Sequence, residues 1–203
     1  MKLLLFSDLH ADRAAARRLV ERARSVDVVI GAGDFGTVRR QVRVCFEVLR
    51  AIDKPTVLVA GNNESTGELR EACRDWPTAN VLHGSGTTIA GVDFFGIGGG
   101  IPVTPFGSWS YDFTEEEAEE LLKGCPLGCV LVSHSPPKWA VDEDSQGKSL
   151  GSIAVRAAVL RLKPTLVVCG HIHASAGMQA SLGTTTVINA GPNGVEWEVD
   201  SGA

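Results

Sequence analysis

Residues 2–10 read Lys2-Leu3-Leu4-Leu5-Phe6-Ser7-Asp8-Leu9-His10. A short apolar run ends at Ser7, and Asp-x-His follows directly. The run stops short of the ~7–15 apolar residues of a signal peptide. It suits a strand buried on both faces. Four further runs rich in Val, Leu and Ile have the same form, at residues 26–30, 56–60, 129–132 and 165–169. Amphipathic stretches lie between several of them. Ala15, Ala16, Leu19, Val20 and Ala23 form one stripe, and Val38, Val42, Cys45, Phe46 and Leu49 form another. Ser65-x-x-Glu68 and Thr114-x-x-Glu117 read as capping boxes that open two more helices. A fifth helix is expected over 152–162, with Ile153, Ala157 and Leu160 inward, stopped by Lys163-Pro164.

The second half is richer in strand. Residues 81–82, 87–90 and 92–97 suggest a meander. Residues 184–189 and 195–199 suggest a closing hairpin around Gly191-Pro192-Asn193-Gly194. The expected architecture is an α/β core of two sheets with helices outside, and no linker or repeat divides 1–203 into more than one domain. Residues 98–112 form the longest irregular stretch, which reads either as a surface loop or as a lid over a site.

Composition narrows the function. The chain has 203 residues, 44% of them hydrophobic and 21% charged, in the range of a globular protein. The formal charge of −5 and the acidic pI near 5.5 argue against a broad basic surface for nucleic acid. No apolar run reaches the ~18 residues of a membrane span. Five cysteines, with no C-x-x-C, sit mostly in apolar patterns and fit a reducing cytoplasm.

The chemistry gathers where strands end. Asp8-x-His10 follows the first run and Gly33-Asp34 the second. Gly61-Asn62-Asn63-Glu64 follows the third, Ser133-His134 the fourth, and Gly170-His171-x-His173 the fifth. The carboxyl edge of an α/β sheet is where ligands bind. Taken singly, most of these segments are turns, caps or ordinary histidines. Jointly they give seven metal-ligand candidates: Asp8, His10, Asp34, Asn62, His134, His171 and His173. One catalytic zinc takes three or four protein ligands, so seven suit two ions that share a carboxylate. Imidazole nitrogen with Asp and Asn oxygen favours Mn, Fe, Co or Zn over Mg or Ca. Two such ions ionise a shared water near neutral pH and clamp a phosphoryl group.

This set, in this order, resembles the calcineurin-like metallophosphoesterases. The motifs Asp8-x-His10, Gly33-Asp34, Gly61-Asn62-x-Glu64, His134 and Gly170-His171-x-His173 span most of the chain. Ser133-His134-Ser135-Pro136-Pro137 and Asn189-Ala190-Gly191-Pro192 also look like small members of that family. The resemblance implies an α/β/β/α sandwich of two mixed sheets flanked by helices. It implies two divalent ions (Mn, Fe, Zn, Co or Ni), one held by Asp8, His10, Asp34 and His173. The other would be held by Asp34, Asn62, His134 and His171, with Asp34 bridging. A hydroxide bridging the ions would attack phosphorus. The family pattern usually has His after Gly-Asn, near the leaving group, where this chain has Asn63. An amide cannot give a proton as an imidazolium does. The departure makes Asn63 the catalytic position in question, and it points to a phosphodiesterase rather than a monoesterase.

Rival readings fare less well. Gly147-Lys148-Ser149 suggests a phosphate loop, but Asp142 stands where that motif needs Gly. Lys148 remains a candidate for approaching a substrate phosphate. No G-x-S-x-G supports a serine hydrolase. A non-catalytic scaffold of the same fold accounts for Asn63 but not for seven retained ligands. A nuclease would have to admit a short strand end past an acidic surface. The expected partner is a small phosphate ester, with Trp109, Tyr111 and Trp139 available to stack on a base or sugar.

Overall fold

The computed structural model describes residues 1–200, so the last three positions of the expected domain lie outside the described residues. In chain order the elements are β1 (Lys2–Phe6), α1 (Arg13–Ala23), β2 (Val28–Ala32), α2 (Val42–Leu49), β3 (Thr56–Val59) and α3 (Thr66–Ala72). Next come β4 (Ala79–Val81), β5 (Ser85–Ile89), β6 (Val92–Ile97), α4 (Glu115–Leu121), β7 (Val130–Ser133) and α5 (Ile153–Leu162). The chain closes with β8 (Leu166–Cys169), β9 (Gln179–Leu182), β10 (Thr185–Asn189) and β11 (Val195–Glu198). No helix among the described residues is long and apolar enough to cross a membrane.

Two mixed sheets result. The first has the order β11-β1-β2-β3-β4 and the second β5-β6-β7-β8-β10-β9. Their centres are parallel, because helical crossovers connect them, and antiparallel strands close edges of each. Strand side chains alternate between faces. In β1, Leu3 and Leu5 turn inward to meet Val130, Val132, Leu166 and Val168 of the second sheet. Leu4 and Phe6 turn outward to Leu19, Cys45 and Leu49 beneath α1 and α2. On the far side, α4 and α5 cover Leu131 and Val167. The layers are therefore α/β/β/α, as expected.

Local signals account for several boundaries. Asp12 accepts from the Ala14 and Ala15 N–H groups and opens α1. Both capping boxes form, at Ser65 with Glu68 and at Thr114 with Glu117. Lys163 takes a left-handed conformation and ends α5.

Four local expectations are corrected. The expected meander of residues 81–82, 87–90 and 92–97 does not form, since β4, which ends at Val81, pairs parallel to β3 in the first sheet and leaves β5 and β6 as a two-stranded hairpin. There is no closing hairpin either: β10 lies in the second sheet against β8 and β9, while β11 crosses to β1 in the first. The true hairpin partner, β9, carries Gln179 and Ser181 and has little apolar pattern to mark it. The α2 stripe begins at Val42, because residues 37–40 form a turn in which Val38 is 45% exposed. On α5, Ile153 and Leu160 are 60% and 47% exposed, and Ala157 is exposed too. The inward face is Ala154, Val155, Ala158, Val159 and Leu162.

Candidate metal centre

The five ligand-bearing segments leave the carboxyl ends of β1, β2, β3, β7 and β8. The central strands of both sheets run parallel, so these ends meet on one edge of the sandwich. The structure brings all seven candidate residues together there. One oxygen or nitrogen from each of Asp8, His10, Asp34 and His173 lies within 4.8 Å of the others. The same holds for Asp34, His134 and His171. Asn62 joins the second set, its Oδ1 lying 3.3 Å from His134 Nε2. Asp34 is common to both.

The loops must turn sharply to do this. Asp8, His10, Asp34 and His171 all adopt left-handed φ, at 55°, 44°, 58° and 67°. That conformation is uncommon outside glycine and clusters at functional sites. Glycine at two positions permits the approach. A Cβ on Gly61 would collide with the Asp34 carboxylate and backbone, and one on Gly170 would collide with Asp8 and Ser7.

Neighbouring groups aim the ligands. His134 Nδ1 sits 2.7 Å from the Ala32 carbonyl and His10 Nδ1 3.2 Å from the Gly36 carbonyl. Each carbonyl fixes the N–H on Nδ1 and leaves the Nε2 lone pair facing the cluster. Ser7 donates from Oγ to Asp8 Oδ2 at 2.5 Å and itself accepts from the Gly191 N–H. Asn189 Nδ2 donates to the Gly170 and Ile172 carbonyls and so shapes the loop bearing His171 and His173. Glu64 is buried and accepts three backbone N–H groups, from Asp34, Gly36 and Gly61. It buckles the β2 loop to the β3 loop. The sequence marked Glu64 as part of a motif, but not as this buckle, which depends on a contact 30 residues apart.

Asn63 is 7% exposed and its amide is engaged at both ends. Oδ1 accepts from the Val38 N–H at 2.7 Å, and Nδ2 donates to Asp34 Oδ2 at 2.7 Å. Its backbone N–H also donates to Asp34 Oδ1.

The electrostatics suit cation binding. Burial opposes ionisation of Asp8, but the hydrogen bond to His173 and the charge of His134 hold it down at about 2. Burial and His134 push His171 down to about 3, so its ring is neutral and a competent ligand. His173 is raised, chiefly by its hydrogen bond to Asp8. Burial alone would lower His134, yet Asp34 and Asp8 raise it. Burial, then the Asp34 carboxylate, pushes Glu64 up to about 7 against the pull of its N–H partners. The two Nε2 atoms of His10 and His173 face each other at 3.0 Å, with Asp34 and Asp8 oxygens at 3.6 and 3.5 Å. Imidazole nitrogens gathered with carboxylates in this way are a donor set that fits a divalent cation of borderline character.

Beside the cluster opens a cavity of about 1030 Å³. His10, Asp34, Asn62, Asn63, His171 and His173 line its floor. Residues 102–106 and Trp109 make one wall, and Asp144, Ser145, Lys148 and Leu150 make another. Of the stretch 98–112, residues 102–106 and Trp109 thus line the site. Of the three aromatic candidates only Trp109 lines it. Tyr111 packs against His83 and Phe113, and Trp139 is exposed beneath the Arg156 guanidinium.

The family model for the calcineurin-like phosphoesterase superfamily domain matches residues 1–201. The chain belongs to that superfamily. Among solved structures, this phosphoesterase-family chain is similar to TT1561 of Thermus thermophilus, at 21% identity and TM-score 0.76, covering 95% of this chain and 90% of that one. It is also similar to a dimetal phosphatase from Danio rerio, at 14% identity and TM-score 0.58, with 93% and 86% covered. A phosphopantetheinyl hydrolase from Mycobacterium tuberculosis matches at 15% identity and TM-score 0.56, with 94% and 88% covered. At such identities the likeness is one of fold. No curated protein matches the chain.

Proposed function

We propose that this phosphoesterase hydrolyses phosphodiesters in preference to monoesters, with two divalent ions held by the seven-residue cluster. The observation that carries the reading is the convergence of two ligand sets on the shared carboxylate Asp34. Asp8, His10, Asp34 and His173 would hold one ion, and Asp34, Asn62, His134 and His171 the other. When bound, such a pair supplies Lewis acidity toward phosphoryl oxygens and lowers the pKa of water.

The chain's own residues supply the rest. His10 and His134 are locked in one tautomer by backbone carbonyls, so their ligand atoms need no reorganisation. Ser7 and Glu64 hold the loops that carry Asp8 and Asp34. Asn63 acts through Asp34, holding its carboxylate at 2.7 Å and leaving no proton to give a leaving group.

Two features support a diester. Position 63 carries no imidazole. Among the described residues lining the cavity, Lys148 is the one Lys or Arg available to meet phosphate charge. A diester carries one negative charge, whereas a monoester dianion asks for more. Five buried free thiols support a reducing compartment.

The test is hydrolysis by Mn-loaded protein of bis(p-nitrophenyl) phosphate against p-nitrophenyl phosphate. A higher kcat/KM for the diester is expected. Faster monoester turnover would overturn the preference, and no turnover of either with Mn, Fe, Co, Ni or Zn would overturn the activity.

A further inference from the structure

We infer that the wall of Pro102, Val103, Pro105, Phe106 and Trp109 seats a planar aromatic arm of the phosphate ester, beside the cluster that would hold its phosphorus. The inference rests on the phosphoesterase reading and adds the chemistry of the group beyond the phosphate.

The cavity is far larger than a phosphate needs, and its size is that of sites for whole small organic ligands. Its two ends differ in character. The floor is imidazole, amide and carboxylate, while the wall is apolar. Phe106 is 52% exposed and Val103 58%. Single exposed apolar residues are ordinary, but a contiguous group facing into a polar cleft marks a binding surface.

The geometry of the wall favours a flat ligand. The Phe106 and Trp109 rings lie 5.7 Å apart with their planes only 15° from parallel. The two rings stack on each other, and an aromatic plane extends such a stack better than a puckered ring does. Lys148 on the facing side adds positive charge, favourable to an anionic ligand.

The wall is also fixed relative to the metal centre. Asp112 Oδ2 accepts from the Thr104 N–H at 2.9 Å and from its hydroxyl at 2.6 Å. Asp112 Oδ1 accepts from Ser110 Oγ at 2.7 Å. Ser110 Oγ in turn accepts from Asn62 Nδ2 at 3.0 Å. A hydrogen-bonded chain therefore runs from a candidate metal ligand to the root of the apolar wall. It sets the reach between phosphorus and arm.

The test is binding of phosphonates, whose C–P bond resists hydrolysis. Titration calorimetry on the full chain with Mn would compare methyl-, cyclohexyl-, phenyl- and 1-naphthylphosphonate. Phenyl is expected to bind about tenfold tighter than cyclohexyl, its non-planar match in size, and naphthyl tighter still, as the gain from stacking a flat ring implies. Phe106→Ala and Trp109→Ala should each weaken the aryl ligands by about tenfold, with Phe106→Tyr restoring the affinity. Adenosine 5′-methylenephosphonate separates the two sources of an aromatic plane. Binding tighter than naphthyl identifies a nucleotide, and the reverse order a simple aryl ester, and either supports the wall. Equal affinity for phenyl and cyclohexyl, or aryl binding that neither alanine variant weakens, would overturn it. The heat of Mn addition alone judges the metal reading. The same ligand series without Mn judges the wall if that reading fails.

Discussion

Asn63 is where sequence and structure pull on the same residue from different sides. From the sequence it is an amide in place of an expected proton donor. In the structure its two amide ends tie the Val38 N–H to the Asp34 carboxylate. Removing such a support typically lowers metal affinity by ~10–100-fold. Asn63→Ala is therefore expected to weaken Mn binding in that range, measured by titration against a competing chelator, and unchanged affinity would contradict the positioning role. Asn63→His is expected to slow esters of all leaving groups alike, because a ring cannot reproduce both amide contacts. A flattened dependence of kcat/KM on leaving-group pKa would instead return position 63 to proton transfer. The seven ligand candidates were legible because each follows an apolar run, and residue types that bind cations are conspicuous there. Glu64 as a buckle was not. Its partners are backbone N–H groups, and no sequence pattern records which N–H groups a fold leaves unpaired.

At the scale of elements, α5 shows what periodicity does and does not decide. Residues 153, 157 and 160 fall on one helical face, and residues 154, 155, 158, 159 and 162 on another. Both are apolar, so spacing alone could not choose. Packing chose the face with Ala154 and Ala158, whose small side chains let the helix sit close to the sheet. Val155→Ala is accordingly expected to cost about 2 kcal/mol in urea unfolding, from lost burial and a residual void. Ile153→Ser should stay within ~0.5 kcal/mol. The opposite ranking would contradict the assigned face. The closing strands failed for a different reason. Gly191-Pro192-Asn193-Gly194 does turn the chain, but the turn carries it from one sheet to the other. A turn signal marks a reversal and does not name the partner strand. Val38 failed because the Asn63 contact holds residues 37–40 as a turn, which delays α2 by one helical turn.

For the whole molecule, fold and centre follow from one arrangement: parallel strands in two sheets that deliver their carboxyl ends to a common edge. The pH response follows as well. His134 and His173 are raised above their ordinary value in the metal-free protein. Protonation there stabilises the fold, a contribution fully present below the unfolded value of ~6.5 and lost as pH rises through the folded one. Asp8 carries the opposite sign. Held at about 2, it contributes above its unfolded value of 3.8 and loses that contribution as pH falls toward 2. Metal competes with the histidine protons. The Tm difference between Mn-loaded and chelator-treated protein should therefore widen from about pH 5.5 to 8, and a constant gap would contradict the competition. The central claim, two ions sharing Asp34, is tested most directly by counting metal. Emission spectroscopy on chelator-stripped, Mn-reconstituted protein should find two ions per chain, with both lost in Asp34→Ala and mainly one lost in His173→Ala. Two ions retained in Asp34→Ala would contradict the account.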